Sequence, residues 1–234
     1  MFFYILRVQK NIKLDALSVH IGSQILTDMP YKKTLNVMSN LIKDLKLKLK
    51  FVDLGGGFGI NYSGKDKPIN LHKYSSLVHG FSKKLKCKII FEPGRSIIGN
   101  TAILVSKIIY IKQGSNKNFV ILDAAMNDLM RPALYDAYHD IVNVSNPTGE
   151  HKKYSVVGYI CETDTFGWER DLSEVTQGDI ICFKNAGAYC FMMASNYNSR
   201  YRPAEVLWYN ETAHLIRKRE VLEDLIKNQI LVDF

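Results

Sequence analysis

The sequence predicts an α/β region of parallel strands followed by a mostly antiparallel β domain, and three observations support this fold class. In the first hundred residues, short apolar runs alternate with amphipathic stretches, as in parallel βα units. From about residue 102, β-rich runs separated by turn signals replace that alternation. The 234 residues could hold one or two domains, and 47% of them are hydrophobic, which is ordinary for a globular protein with a real core. We expect domains at residues 1–102 and 103–234.

The N-terminal region contains three predicted strands and two predicted helices. The strands are residues 16–20, 49–54 and 88–92, and glycine follows the second of them and proline the third. The helices are residues 31–46 and 72–85, where apolar side chains recur at helical spacing. Three such units cannot close a barrel, because a complete eight-stranded α/β barrel takes about 250 residues. We therefore expect the last units of a TIM-type (β/α)8 barrel, with the remainder missing or supplied by another chain.

The C-terminal region is predicted to form a β-barrel or sandwich. Its predicted strands are residues 103–105, 108–112, 119–122, 154–160, 179–183 and 205–209. A closing helix is predicted at residues 220–229.

Composition narrows the classes of partner. The net charge is +8, but the lysines are scattered, so a solvated surface is favoured over nucleic-acid binding. A basic site would also suit an anionic cofactor and a dicarboxylate substrate. No apolar run approaches the roughly 20 residues that span a bilayer, and residues 1–6 do not resemble a signal peptide, so a cytoplasmic location is expected. The four cysteines are far apart and predict neither a disulfide framework nor a metal site.

Two of the predicted strands end in groups suited to an anion. Gly55, Gly56 and Gly57 follow residues 49–54, and consecutive glycines let backbone N–H groups approach a phosphate. After the third strand, Pro93 holds Glu92 extended, and Gly94 and Arg95 follow. A phosphate cradle beside a carboxylate suggests a ligand with a phosphate and a basic nitrogen. A flexible turn and a surface Glu–Arg ion pair are the alternatives.

Seven further residues are candidates, each with a packing, capping or turn role as the alternative. His20 ends the first strand, where it could be a core histidine, and Ser23 could cap the next helix. Arg131 and Tyr135 are four residues apart and could clamp a carboxylate from one helical turn. The remaining candidates follow predicted strands and are Cys161, Glu162 and Tyr189.

Together and in order, these motifs resemble the fold-type III pyridoxal-phosphate decarboxylases. The motifs are HIGSQ, GGGFG, EPGR, CE-T-D and GAY, and they span residues 19–189. Within that superfamily, residues 124–139 and 185–206 resemble the diaminopimelate decarboxylase family in particular. The resemblance implies decarboxylation of meso-2,6-diaminopimelate to L-lysine and CO2 with pyridoxal 5'-phosphate as cofactor.

The resemblance also assigns residues to the cofactor. It implies that His20 stacks on the cofactor ring and that Glu92 pairs with the pyridine nitrogen. The phosphate would be held by a set of small and basic residues, namely Ser23, Gly55, Gly56, Gly57, Gly94 and Arg95. Glu92 argues against racemase chemistry, since an arginine has this role in the related alanine racemases.

The substrate residues and the oligomer are implied in the same way. Arg95, Arg131, Tyr135 and Glu162 would bind the distal end of the substrate, and Tyr189 would touch cofactor and substrate. Cys161 would be the catalytic proton donor. In this family the segment with Cys161 and Glu162 reaches the other subunit's site, so a homodimer is expected.

Two departures from the family pattern limit these expectations. CETDTF at residues 161–166 replaces the commoner CES(G/S)D, and the sequence has no Tyr-x-x-Lys-Ala motif carrying the Schiff-base lysine. We therefore expect the chain to be a truncated C-terminal part with little turnover alone. The alternatives are a non-catalytic binding or regulatory protein and a decarboxylase of ornithine or arginine. Arg131 and Tyr135 disfavour ornithine, which has no distal carboxylate.

Overall fold

The computed structural model describes residues 11–233, which fall into two compact units that divide between Gly99 and Asn100. The apolar residues 1–6 considered above lie outside the described range. Within that range, no helix is both long and apolar enough to cross a bilayer.

The first unit is built on a three-stranded parallel sheet. The strands are β1 (Ala16–Ser18), β2 (Phe51–Asp53) and β3 (Lys88–Ile90), in the order β1-β2-β3. The parallel pairing is confirmed, and each strand is shorter than predicted. The pairing continues past the strands as single hydrogen bonds, from Val19 N to Asp53 O (2.9 Å) and from Leu54 N to Ile90 O (3.0 Å). Beyond those bonds the chain turns into loops.

Two helices supply most of the buried apolar residues in the core of this unit. Helix α1 (Met29–Asp44) has a proline in its first turn, where the missing N–H costs nothing. Helix α2 (Leu71–Leu85) is capped by the Asn70 side chain, which accepts from Lys73 N at 2.9 Å. A single turn, α3 (Arg95–Ile98), follows the third strand. The buried faces of the two long helices consist of Tyr31, Leu35, Met38, Ile42, Tyr74, Val78 and Phe81.

The second unit contains a six-stranded mixed sheet. The strands are β4 (Leu104–Gln113), β5 (Asn118–Leu122), β6 (Ile141–Asn143), β7 (His151–Val157), β8 (Thr165–Ser173) and β9 (Ile180–Phe183). Their order is β6-β9-β4-β5-β7-β8, and the end strands β6 and β8 contact each other, so the sheet is nearly closed. One pair, β5 with β7, is parallel and the other pairs of this unit are antiparallel, so the prediction of a mostly antiparallel domain is confirmed.

The strand boundaries differ from the predictions for local reasons. Residues 104–113 form one ten-residue strand rather than the two predicted at 103–105 and 108–112, because β4 pairs with β9 at its start and with β5 further along. Strand β8 escaped prediction because its centre is charged and Glu169 has a φ of +47°, which interrupts the alternation. The core between the strands is apolar and includes Ile108, Val120, Leu122, Leu129, Val156, Phe166, Ile181 and Phe183.

A separate hairpin and a short helix complete the second unit. Strands β10 (Glu205–Tyr209) and β11 (Thr212–Arg217) pair only with each other in the described residues, and almost every residue of the hairpin is exposed. The predicted helix at 220–229 is limited to α5 (Leu222–Ile226). None of its residues is buried, so no apolar face stabilises a longer helix.

Candidate cofactor and substrate sites

Three loops of the first unit meet at the carboxyl ends of its strands. The strands are parallel, so the loops that follow them lie at one edge of the sheet. Glu92 N donates to Gly55 O at 2.8 Å, which joins the loop after β3 to the loop after β2. Ile25 N donates to Gly57 O at 2.9 Å, which joins the loop after β1 to the same glycines. The glycine loop is therefore held on both sides.

The glycines are required by space as well as by backbone conformation. A Cβ on Gly56 would lie 2.2 Å from the carbonyl oxygen of Glu92, and one on Gly57 would lie 2.4 Å from that of Gly22. Gly55 and Gly57 also have φ values of +64° and +94°, which side chains rarely adopt. The neighbouring loops can pack this closely only because no side chain intervenes.

The amide groups of the three glycines are not equivalent. Gly55 N donates to Asp53 Oδ1 at 2.8 Å, and Gly56 N donates to His20 Nδ1 at 3.4 Å. Since His20 Nδ1 accepts, its ring proton is placed on Nε2. For Gly57 N–H the described residues show no such acceptor. Of the three glycines, Gly57 is thus the one whose amide could bind an anion without giving up one of these hydrogen bonds.

Arg95 connects the loops through its guanidinium. It donates to Ser23 Oγ at 3.0 Å and to Tyr62 Oη at 2.7 Å. Ser23 therefore does not cap α1, whose N-cap is Asp28 without a side-chain hydrogen bond. Tyr62 was missed by the sequence analysis, because its surroundings, Asn61 and Ser63, look like an ordinary turn.

The acidic and aromatic candidates of this edge are accessible. His20 and Glu92 are both exposed, and Gly94 lies between Glu92 and Arg95. The edge thus combines a carboxylate, an imidazole ring, a hydroxyl and a guanidinium around the glycine loop, whose positions leave no room for a Cβ. This donor and acceptor set fits a ligand that carries a phosphate, an aromatic ring and a basic nitrogen.

In the second unit, the Cys161–Glu162 segment is anchored by a buried carboxylate. Asp164 is 4% exposed and accepts hydrogen bonds from Ile160 N at 2.8 Å and Met126 N at 2.6 Å. Burial raises the pKa of Asp164, and these two N–H groups act in the opposite direction. One side chain therefore fixes both ends of this loop and ties it to the segment that precedes Arg131.

A second buried carboxylate anchors the same segment to residues 195–200. Asp128 accepts from Ala125 N at 2.8 Å and forms an ion pair with Arg200 at 3.2 Å. Arg200 also donates to Asn127 Oδ1 at 2.6 Å and lies over the Tyr159 ring. Burial raises the pKa of Asp128, and the Arg200 charge partly offsets this.

The two residues of the predicted clamp differ in exposure. They lie at the ends of helix α4 (Arg131–Tyr135), as the spacing predicted, but Arg131 is 6% exposed and Tyr135 is 63% exposed. Arg131 Nη1 is 2.8 Å from His139 Nε2, and His139 Nδ1 is 2.9 Å from Lys184 O. His139 is fully buried and was not singled out from the sequence.

The remaining candidates lie on exposed loops. Cys161 and Glu162 are exposed, and Tyr189 is exposed with a φ of +60°. Tyr197 donates a hydrogen bond from its hydroxyl to Glu162 Oε1. This hydrogen bond is the main cause that raises the pKa of Tyr197. Burial and the nearby charges of Glu162 and Cys161 raise it further. Tyr197 is a further residue that the sequence analysis missed. The four cysteines are free thiols, and Cys161 alone among them is exposed.

Comparisons with known proteins agree with the motifs. A family model described as "Pyridoxal-dependent decarboxylase, C-terminal sheet domain" matches residues 3–187. Over 224 aligned residues, the chain is 42% identical to a diaminopimelate decarboxylase of Aquifex aeolicus. The aligned residues are 93% of this chain and 53% of the relative. Over 229 aligned residues, it is 40% identical to the diaminopimelate decarboxylase of Zymomonas mobilis. These residues are 96% of this chain and 54% of that relative. The chain thus spans about half the length of these curated relatives.

Solved structures give the same result. A crystal structure of an Aquifex aeolicus protein superposes with a TM-score of 0.92 at 37% identity, covering 98% of this chain and 58% of that one. A diaminopimelate decarboxylase from Helicobacter pylori, complexed with L-lysine, superposes with a TM-score of 0.86 at 36% identity, covering 96% and 57%. With the matched family model and the geometry above, these likenesses show that the chain belongs to the pyridoxal-dependent decarboxylase family.

Proposed function

We propose that this chain forms part of a pyridoxal-phosphate-dependent enzyme that decarboxylates meso-2,6-diaminopimelate to L-lysine and CO2. The observation that carries the proposal is the glycine loop between the Glu92 and His20 loops, where an added Cβ at Gly56 would lie 2.2 Å from Glu92 O. Family membership and relatives named for this activity support the choice of cofactor and substrate. In this proposal residues 1–102 contribute the last units of a (β/α)8 barrel.

The residues at the sheet edge would hold the cofactor. Bound pyridoxal phosphate supplies an electron sink for the electron pair that departing CO2 leaves behind. Glu92 would accept a hydrogen bond from the pyridine nitrogen and favour its protonated form, and His20 would stack on the ring. The phosphate would be bound by Arg95 and Ser23, with Gly55, Gly56, Gly57 and Gly94 allowing its close approach.

The second unit would supply the substrate contacts. Arg131 would bind the distal carboxylate, and Glu162 would bind the distal ammonium. Tyr135, Tyr189 and Arg95 would complete the contacts. Cys161 Sγ would hold the proton that is delivered to the carbon atom from which CO2 departed.

The assembly proposed with this function is a cytoplasmic homodimer. Cys161 and Glu162 lie on an exposed loop whose base is fixed by Asp164, and Glu162 also accepts a hydrogen bond from Tyr197. An exposed loop with a rigid base is suited to reach into a partner's site. Sedimentation of the purified chain at several concentrations tests this part of the proposal, and a concentration-independent monomer would contradict it.

The cofactor part is tested with pyridoxine 5'-phosphate, which lacks the aldehyde and cannot react with surface lysines. We expect saturable binding by titration calorimetry and about tenfold weaker binding for Arg95→Ala and Glu92→Gln, since each removes one charged contact. Lys65→Ala, in an exposed loop, serves as a matched control with unchanged affinity. Equal affinity for all four proteins, or no binding, would contradict the proposal and favour a non-catalytic role.

The substrate part is tested by product analysis. We expect L-lysine from meso-diaminopimelate, and no product from ornithine or arginine, when the chain is supplied with cofactor and with the remaining half of a relative. Release of putrescine or agmatine instead would indicate the alternative decarboxylases.

A further inference from the structure

His139 and Arg131 form a buried pair whose protonation the geometry determines. His139 is 0% exposed and lies between two groups, the Arg131 guanidinium at 2.8 Å and the carbonyl oxygen of Lys184 at 2.9 Å. A carbonyl oxygen only accepts, so Nδ1 must carry a proton. A guanidinium only donates, so Nε2 must have its lone pair free. Both contacts are satisfied only by the neutral ring with its proton on Nδ1.

The pair also fixes the orientation of the arginine. A guanidinium is planar and has five N–H donors in a fixed fork, so one directed hydrogen bond restrains the whole group. The acceptor itself is held by the backbone at Lys184, immediately after strand β9. Arg131 is thereby restrained by the backbone that follows strand β9 and not only by its own five-residue helix.

We propose that His139 is a positioning residue that, as the neutral Nδ1–H tautomer, holds the Arg131 guanidinium in the orientation that receives a substrate carboxylate. A neutral acceptor leaves the positive charge of Arg131 intact, whereas a carboxylate in its place would compensate that charge and weaken the attraction for the substrate. The inference rests on the proposed function for the carboxylate and on the structure alone for the tautomer.

The tautomer is measured directly by a long-range ¹H–¹⁵N spectrum of the labelled chain at pH 7.5. The chain has six histidines, and the signal that disappears in His139→Gln assigns the ring. We expect the Nδ1–H pattern. An Nε2–H pattern or a doubly protonated ring would overturn the proposal, whether or not the chain binds any ligand.

The positioning role is measured on Arg131 itself. In His139→Phe the Nε–H order parameter of Arg131 should fall from a rigid value of about 0.85 to below about 0.6. His139→Gln retains an amide donor and a carbonyl acceptor and should restore rigidity, while the dispersed backbone spectrum confirms that each variant is folded. An Arg131 that stays rigid in folded His139→Phe, or that is not rescued by glutamine, would overturn the proposal.

The consequence for binding is measured by titration with meso-diaminopimelate. We expect about tenfold weaker binding for His139→Phe than for the wild type, as for the loss of one hydrogen bond to a charged group, and a near-normal affinity for His139→Gln. A wild-type chain that does not bind diaminopimelate would count against the proposed function, while the tautomer and the Arg131 dynamics would still decide the inference.

Discussion

The two units build their candidate sites in opposite ways. In the first unit the site edge is limited by space, since an added methyl group at Gly56 or Gly57 would collide with the backbone of a neighbouring loop. In the second unit the loops are held by buried side chains, with Asp164 and Asp128 accepting backbone hydrogen bonds. The first arrangement should be destabilised by added atoms. The second should be destabilised by the loss of a hydrogen-bond acceptor, even when the substituted side chain has the same shape.

The strongest test adds an atom at the edge of the first unit. Gly56→Ala should destabilise this unit by about 3 kcal/mol, because its Cβ would lie 2.2 Å from Glu92 O and the loop must move. Hydrogen-exchange mass spectrometry should show faster exchange in residues 11–99 and unchanged exchange in the core strands of the second unit. A loss of protection in the second unit as well would contradict a clash confined to the loops of the first unit.

The next test changes hydrogen-bonding capacity in the second unit without changing shape. Asp164→Asn replaces one accepting oxygen by an NH2 group that faces a backbone N–H, which should cost about 2 kcal/mol. The rate of Cys161 alkylation, with Cys161 the one exposed thiol, should rise severalfold as its loop is released. Asp171→Asn is the matched control, since Asp171 forms only an exposed pair with His151 and should cost less than about 0.5 kcal/mol.

A smaller effect is expected where a carboxylate of the second unit meets solvent. Glu220 accepts from Arg202 Nε at 2.7 Å and from Asn196 Nδ2 at 2.6 Å, and the Arg202 bond is the main cause that lowers its pKa to about 2. Its stabilisation is therefore fully present above about pH 4.5 and is lost as the pH falls towards 2.

Glu220→Gln should remove this acid dependence and lower the free energy of unfolding at pH 7 by about 1.5 kcal/mol. The loss is kept this small because Arg202 is partly exposed, so solvent screens the ion pair. Urea unfolding at pH 7, 4 and 3 measures it. A variant that loses stability between pH 4 and 3 as steeply as the wild type would contradict the assignment.

The smallest effect is expected for an added methyl group in the first unit at a position away from the crowded loops. Gly80 lies within helix α2, and a Cβ there would meet no atom within 4 Å. Gly80→Ala should therefore stabilise the first unit by about 0.8 kcal/mol, through helix propensity alone. Thermal unfolding followed by circular dichroism measures this change. A destabilised variant would show that crowding in this unit extends beyond the loops.

The sequence was informative where a residue acts through its own local pattern. The parallel strands and the two long helices of the first unit follow from apolar periodicity, and they are confirmed. Strand β8 could not be predicted, because its pairing with β7 overrides a charged and bulged centre.

The same limit applies to the candidate sites. His139 lies eight residues beyond Arg131 in an unremarkable context, and its partner Lys184 is 45 residues further along. Tyr62 and Ser23 meet through Arg95, which is 72 residues from Ser23. Contacts of this range depend on the tertiary fold, and no local pattern encodes them.

The β10–β11 hairpin has a consequence for handling the protein in solution. Its apolar side chains include Trp208 (69% exposed), Leu215 (60%) and Ile216 (62%), and its outer backbone edges pair with no other strand in the described residues. Two strands alone are marginally stable in water, and unpaired edges recruit other chains. The hairpin should therefore be the first segment that proteases cut and the segment through which concentrated samples self-associate. Low protein concentration and a charged substitution at Trp208 should improve colloidal stability.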